Sequence, residues 1–408
     1  MMKNKYMLSA SGMYINYFLL GMVNIMLASN MSFLTKQLNT DGAGISYIIS
    51  AIGIGKLLSY SLSGVLSDKV GRKPLIIVSS LTMAIFLIGI PLSPNYQTAF
   101  IFAIIAGIAN SAMDAGTYPA LIEVFPKSSG SASVLVKAFI SAGAALLPFM
   151  IAFFADRDLF YGYAFFLPAL IYLLNMIFMF KLPFPNHKRE QSTVQQQNTG
   201  ENKFISAPKM KQEGIALIVI GFTSTALFTV AQIWLPTYGQ QVLGMAESSS
   251  VRLLSYYSIG ALISVLVLAV LLSKVLRPVT VILVYPMITL IAVLTLLFVK
   301  VPAIAIAAAF FMGFSTAGVF QLAITVMTEL FWNKKGTVTG IVATAAGLAA
   351  ILLPLATGLM SKTGHISIIF IFDAMLSVVG IAAAAFVNYR YRKILNKNRS
   401  EQIQETAS

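Results

Sequence analysis

Twelve runs of about twenty mostly apolar residues limit what this chain can fold into. They lie at about 12–34, 44–66, 74–93, 97–122, 131–155, 159–180, 214–237, 251–272, 278–299, 302–327, 337–360 and 366–388. About twenty apolar residues are what an α-helix needs to cross the hydrocarbon of a bilayer, whereas a spanning β-strand needs only about ten. Backbone in lipid must satisfy its own hydrogen bonds, and uninterrupted runs of this length do so as helices. Charged residues make up 10% of the chain, against about 25% in soluble proteins. The expectation is an all-α membrane protein with 12 transmembrane helices. Lys3 and Lys5 precede the first run, which lacks a small-residue cleavage site and reads as a retained helix.

Residues 181–213 interrupt the runs after the sixth and read as a flexible linker, rich in Gln, Ser, Thr and Asn. This divides the chain into an N-terminal six-helix bundle (1–180), a linker (181–213), a C-terminal six-helix bundle (214–388) and a tail (389–408). An internal repeat agrees with that division. At an offset of 206, Gly107, Glu123, Phe125, Gly130 and Pro148 fall on Gly313, Glu329, Phe331, Gly336 and Pro354. At 205, Gly55, Lys69 and Arg72 fall on Gly260, Lys274 and Arg277.

With the N-terminus inside, the loops and termini on the inner side carry 21 Lys and Arg. The outer loops carry five: Lys36, Arg157, Arg252, Lys300 and Lys362. That bias predicts a multi-pass protein of the bacterial cytoplasmic membrane with both termini cytoplasmic. The net charge of +14 is then topology and attraction to lipid head groups, not a sign of nucleic acid. Trp332 and Trp234 fall at expected boundaries, as interfacial anchors do.

Ionisable residues inside the spans are functional candidates because they are costly there. Lys56 lies midway along the second span, with Ser59 and Ser63 on the same stripe. It suits an anionic substrate, or else it pairs with a carboxylate on another helix or lies neutral. Asp114 lies nine residues before Glu123, and Lys137 seven after Gly130, so both sit roughly 10–13 Å from the inner surface. They are expected to pair, either as a structural ion pair or as a switch in which Asp114 takes a proton and frees Lys137 for an anion. Asn110 and Tyr118 flank Asp114 at i−4 and i+4. Asn24, Asn30, Gln232, Gln321 and Thr325 are uncharged candidates, each equally explained by helix–helix hydrogen bonding. Asp373 lies in the last span, where a supporting role is expected. Glu123 and Glu329 end spans at equivalent repeat positions, near Arg72 and Arg277, and read as gating ion pairs or solvated ends.

Catalysis finds no support. Cysteine is absent, the two histidines are His187 and His365, and there is no metal-ligand cluster, phosphate loop or nucleophile elbow. No enzyme activity and no cofactor are expected.

The turn Gly64-Val-Leu-Ser-Asp68-Lys-Val-Gly71-Arg72-Lys73-Pro74 joins the second and third spans. It resembles the signature loop of the major facilitator superfamily, and the resemblance extends over nearly the whole chain. It implies two pseudo-symmetric six-helix bundles working by alternating access, with spans one, four, seven and ten lining the cavity. It also implies a cytoplasmic gate of Gly64, Asp68, Gly71, Arg72 and Lys73, in which Asp68 faces the start of span eleven near Gly336 and pairs with Arg72. Within the family, Asn110-Ser-Ala-Met-Asp114, Tyr118-Pro-Ala-Leu-Ile-Glu123, Val136-Lys137-Ala138 and Ser255-Tyr-Tyr-Ser258 resemble the YdiN/YdiM group of bacterial inner-membrane transporters. That resemblance implies a shikimate- or quinate-like hydroxylated carboxylate as substrate. The expected partners are a small molecule, lipid and a coupling proton, with the chain as a monomer. The expected function is symport of a small organic anion. The alternatives are proton-coupled export of drug-like compounds, disfavoured because 103–108 lacks an arginine, and a non-transporting sensor.

Overall fold

The apolar runs become helices, and among the described residues twelve helical spans are long and apolar enough to cross a membrane. The computed structural model describes residues 5–125, 129–184, 208–272, 276–331 and 335–405. The first half comprises α1 (Met7–Ser29), the short α2 (Met31–Gln37), α3 (Gly42–Val70), α4 (Arg72–Gly89), α5 (Tyr96–Val124), α6 (Ser129–Ala155) and α7 (Tyr163–Phe180). A π-turn at Met210–Gly214 leads into α8 (Ile215–Gln241), α9 (Glu247–Leu271), α10 (Pro278–Phe298), α11 (Pro302–Thr316), α12 (Val319–Leu330), α13 (Lys335–Ser361) and α14 (Ser367–Glu405). Residues 185–207 of the 181–213 linker, and Trp332, lie outside the described residues.

The helix starts are legible in the sequence. Asp41 accepts from the Gly44 N–H (2.8 Å) to open α3, and Asn95 accepts from the Thr98 N–H (3.0 Å) to open α5. Each satisfies an amide the helix leaves unpaired. Pro278 and Pro302 start α10 and α11, where a missing N–H costs nothing.

Three features differ from the expectation. The turn between the second and third spans is far shorter than the charged segment: α3 runs to Val70, α4 starts at Arg72, and Gly71 alone (φ 96°) makes the corner. That φ is open to glycine without steric cost. The tenth span is broken, with Ala317 extended and Gly318 left-handed (φ 85°) between α11 and α12. Lastly, α14 does not stop at the membrane edge. Asn388 donates to the Val279 carbonyl (3.1 Å), and Tyr391 is buried.

The two six-helix bundles repeat one packing scheme. In the first, α3 packs on α5, α1 on α6, and α4 on α5 and α7. In the second, α9 packs on α11, α8 on α13, and α10 on α11 and α14. The repeat extends to single atoms. A Cβ on Gly55 would meet the Ile104 carbonyl, and one on Gly107 would meet that of Ile52. The corresponding Gly260 and Gly313 abut the carbonyls of Phe310 and Tyr257, which are the repeat equivalents of Ile104 and Ile52. Small residues let two backbones touch where lipid offers no hydrophobic drive. Gly107→Leu and Gly313→Leu are therefore expected to separate α3 from α5 and α9 from α11, at a cost of at least ~1–3 kcal/mol. The check is the yield of monodisperse protein after detergent extraction, with Gly340→Leu, which meets open space, as control.

Candidate functional site

The charges of the first bundle converge between α1, α3, α5 and α6. Lys56 on α3 bridges to Asp114 on α5, Nζ to Oδ2 at 2.9 Å, and donates to Asn110 Oδ1 at 3.2 Å. The Tyr17 hydroxyl on α1 donates to Asp114 Oδ1 at 2.7 Å. Tyr118 stands edge-on to Tyr17, ring centroids 5.6 Å apart. The expected Asp114–Lys137 pair is not formed. Among the described residues no carboxylate comes within 4.0 Å of Lys137, which is half-buried on α6 and within electrostatic reach of both Asp114 and Lys56. The reason lies in the packing. α5 lies along α3 over most of its length and makes little contact with α6, so the neighbour in sequence is not the neighbour in space. The cluster thus holds two ammonium groups against one carboxylate, a net positive site. The Lys56 side chain is 38% exposed and that of Asp114 11%, so the pair borders open space from the lysine side. Below it the stripe continues with Ser63 Oγ and Ser111 Oγ 2.8 Å apart.

At the Gly71 end, Arg72 Nε meets Glu123 Oε1 at 3.3 Å, and its NH1 donates to Ser67 Oγ at 2.7 Å. The expected first-half ion pair is present. The side chain of Asp68 lies outside the described residues. Lys73 faces elsewhere: its Nζ donates to the carbonyls of Phe180 and Leu182 (both 2.8 Å). It therefore caps the C-terminus of α7, where a cation complements the helix dipole. Lys73→Met is expected to lower stability by about 1 kcal/mol, read as a fall in melting temperature in detergent. In the second bundle the Arg277–Glu329 pair is not formed. Glu329 accepts from Tyr391 OH (2.8 Å) and Arg277 is exposed. The ion pair at this end is Arg390 Nε to the fully buried Glu213 Oε1, at 2.7 Å.

The bundles meet at the opposite end. Ser46 Oγ donates to the Pro354 carbonyl (2.6 Å) and Ser50 Oγ to that of Ile351 (2.8 Å), tying α3 to α13. Gln240 on α8 donates to Ser32 Oγ on α2 (3.4 Å), and Arg252 on α9 pairs with Asp156 (3.0 Å). Toward Gly71 the two bundles part. A Cβ on Gly347 would still touch Leu57, but one on Gly64 or Gly340 would meet nothing within 4 Å. The cavity therefore opens at the Gly71 end.

The sequence profile of the Major Facilitator Superfamily matches residues 13–302 and 253–407. This chain belongs to the major facilitator superfamily. It is 64% identical to YfkL, an MFS-type transporter of Bacillus subtilis, over 95% of this chain and 97% of that one. It is 36% identical to the inner membrane transport protein YdiN of Escherichia coli, over 95% of this chain and 91% of that one. The crystal structure of a D-xylose-proton symporter superimposes with a TM-score of 0.74 at 15% identity, over 94% of this chain and 97% of that one.

The chain is a transporter of small molecules and not an enzyme. It is a multi-pass protein of the cytoplasmic membrane. The remaining site candidates scatter through this transporter. Asn30 is fully buried and bonds back to the Met26 carbonyl (2.9 Å) at the α1–α2 junction. Gln232 is buried on α8, and Gln321 is half-buried on α12, its carbonyl accepting from Thr325. Trp234 is no interfacial anchor. It is fully buried and its Nε1 donates to Thr357 Oγ1 at 2.8 Å. Three residues that matter escaped sequence reasoning. Tyr17 could have been found as a phenol amid the apolar first span. Ser46 and Ser50 could not, because serines recur throughout the helices.

Proposed function

We propose that this transporter carries a small organic anion, such as a hydroxylated cyclic carboxylate of the shikimate or quinate kind, into the cell together with protons. The observation carrying the reading is Lys137, an ammonium with no carboxylate partner among the described residues, beside the Lys56–Asp114 pair. A carboxylate substrate would complete the charge balance at Lys137, and Tyr118 and Asn110, one turn either side of Asp114 on α5, would offer hydroxyl and amide to substrate hydroxyls. A proton on Asp114 would release Lys56 to the same anion, because a neutral acid no longer holds an ammonium. Protons help an anion enter against a negative-inside potential. Proton symport on this fold is supported by the name of the D-xylose-proton symporter. Residues 1–180 and 214–388 would rock as two bodies about the site. The Gly71 end, rich in Lys and Arg, would face the cytoplasm with both termini. Arg72 and Glu123 would help shut that end.

The test is uptake of labelled shikimate and quinate into proteoliposomes, with and without an inward proton gradient. Concentrative uptake that collapses with a protonophore is expected. No uptake of any tested organic anion, with efflux of cationic dyes instead, would overturn the reading in favour of export.

A further inference from the structure

The second bundle carries a buried acid that the anion site does not use. Asp373 stands six residues beyond Ser367 on α14, roughly 9 Å along the helix. It is fully buried, and among the described residues neither of its carboxyl oxygens has a hydrogen-bond partner. Ser377, one turn on, is also fully buried with an unpartnered hydroxyl. Among the described residues no countercharge on the elements packed against α14 comes within reach of it. On α8, Tyr238 spends its hydroxyl on the Leu296 carbonyl (2.8 Å). On α10, Tyr285 accepts from Ser264 (3.1 Å). On the neighbouring α9, Tyr257 lies within electrostatic reach of Asp373, but its hydroxyl shares a 2.6 Å bond with Thr316 Oγ1. The Arg390–Glu213 pair is more than four turns away along α14, and closed on itself. On α13, which also touches α14, the one charged residue is Lys335 at its first position. An ionised carboxylate cannot be kept in such surroundings, since a lone buried charge costs far more than neutralising it. A neutral acid without partners still loses about 1–3 kcal/mol per unmade bond, so this packing is poor for Asp373 unless another state of the protein uses it.

We propose that Asp373 is a proton-binding site of the second bundle, occupied when the cavity opens at the Gly71 end and emptied when the bundles rock to the other state. It is separate from Asp114 and does not depend on the substrate being an anion. Deprotonation would require water or a donor to reach the carboxylate, which a rearrangement of α14 against the α8 and α10 that cover it would provide. A proton bound in one conformation and released in the other shifts the equilibrium between them by up to tenfold per pH unit.

The protein has no cysteine, so Gly340→Cys at the open end gives a single thiol for maleimide labelling, read from pH 6 to about pH 9 with a free peptide thiol as reference. With Asp373 intact, labelling corrected for the reference should fall as pH rises and the closed form gains. In Asp373→Asn, which cannot lose the proton, that dependence should vanish. In Asp114→Asn it should persist. Infrared spectra at neutral pH should show a protonated-carboxyl C=O band that Asp373→Asn removes. If Asp373→Asn does not fold, Asp373→Leu replaces it, as an apolar side chain that needs no partner. A band that survives either variant, or pH-dependent labelling that does, overturns the proposal. So does labelling that is insensitive to pH in the parent, or that follows sodium concentration instead.

Discussion

Asp114→Asn is expected to abolish concentrative uptake, at least tenfold, while leaving exchange of substrate across the membrane. The carboxylate has two roles in this geometry: it holds Lys56 at 2.9 Å and accepts from Tyr17 at 2.7 Å. Asparagine keeps an acceptor for Tyr17 but can neither carry a proton nor balance the charge of Lys56. Removing one member of a buried pair costs roughly 3–5 kcal/mol, and Lys56, at 38% exposure, places this case at or below the lower end. The transport defect should therefore exceed the stability defect. Restoring neutrality with Lys56→Gln in the same chain should recover melting temperature but not accumulation. Gradient-driven accumulation by Asp114→Asn at the parent level would remove Asp114 from coupling.

Lys137→Ala should behave in the opposite way. No carboxylate of the described protein leans on this ammonium, so its removal should leave melting temperature unchanged or raise it slightly, since a half-buried, unpaired charge has gone. Anion affinity should collapse. Truncating one partner of a desolvated charge pair costs 2–5 kcal/mol, roughly a hundredfold in the half-saturating concentration. Lys137→Arg should recover part of it by keeping the charge. The measurement is the concentration dependence of exchange, together with thermal melting of the same preparation. A variant that melts earlier yet transports normally would make Lys137 a structural residue.

The contrast between these two lysines shows where sequence reading reached its limit. Span number, the repeat and the Arg72–Glu123 pair were legible, because hydropathy and punctuation are local signals and the repeat offset carries Gly55 and Gly107 onto Gly260 and Gly313. The pairing of charges was not. Depth along a helix can be counted, but which neighbour a helix faces is set by packing, and the glycines that seat α3 against α5 bring Lys56, not Lys137, to Asp114. The same limit hid the role of Lys73. Its charge marks a membrane surface in any arrangement, whereas its bonds to Phe180 and Leu182 exist only because α4 packs on α7. The break at Gly318 left a trace, a lone glycine after Ser-Thr-Ala, but glycines in membrane helices also serve close packing, as Gly313 does five residues earlier.

The polar contacts that close the end away from Gly71 are few and mostly uncharged, and they sit on broad apolar packing of α3 on α13 and α6 on α9. Two serine hydroxyls rest on helix carbonyls, one glutamine reaches a serine, and one exposed ion pair sits at the rim. Each net hydrogen bond contributes about 1 kcal/mol and an exposed ion pair no more, which puts these polar contacts near 4 kcal/mol. That is also the free energy of binding a ligand with a millimolar dissociation constant. The polar part of the latch is thus within reach of a modest metabolite, while the apolar faces of α3, α13, α6 and α9 are not selective for partners and can slide or part without leaving a polar group unpaired.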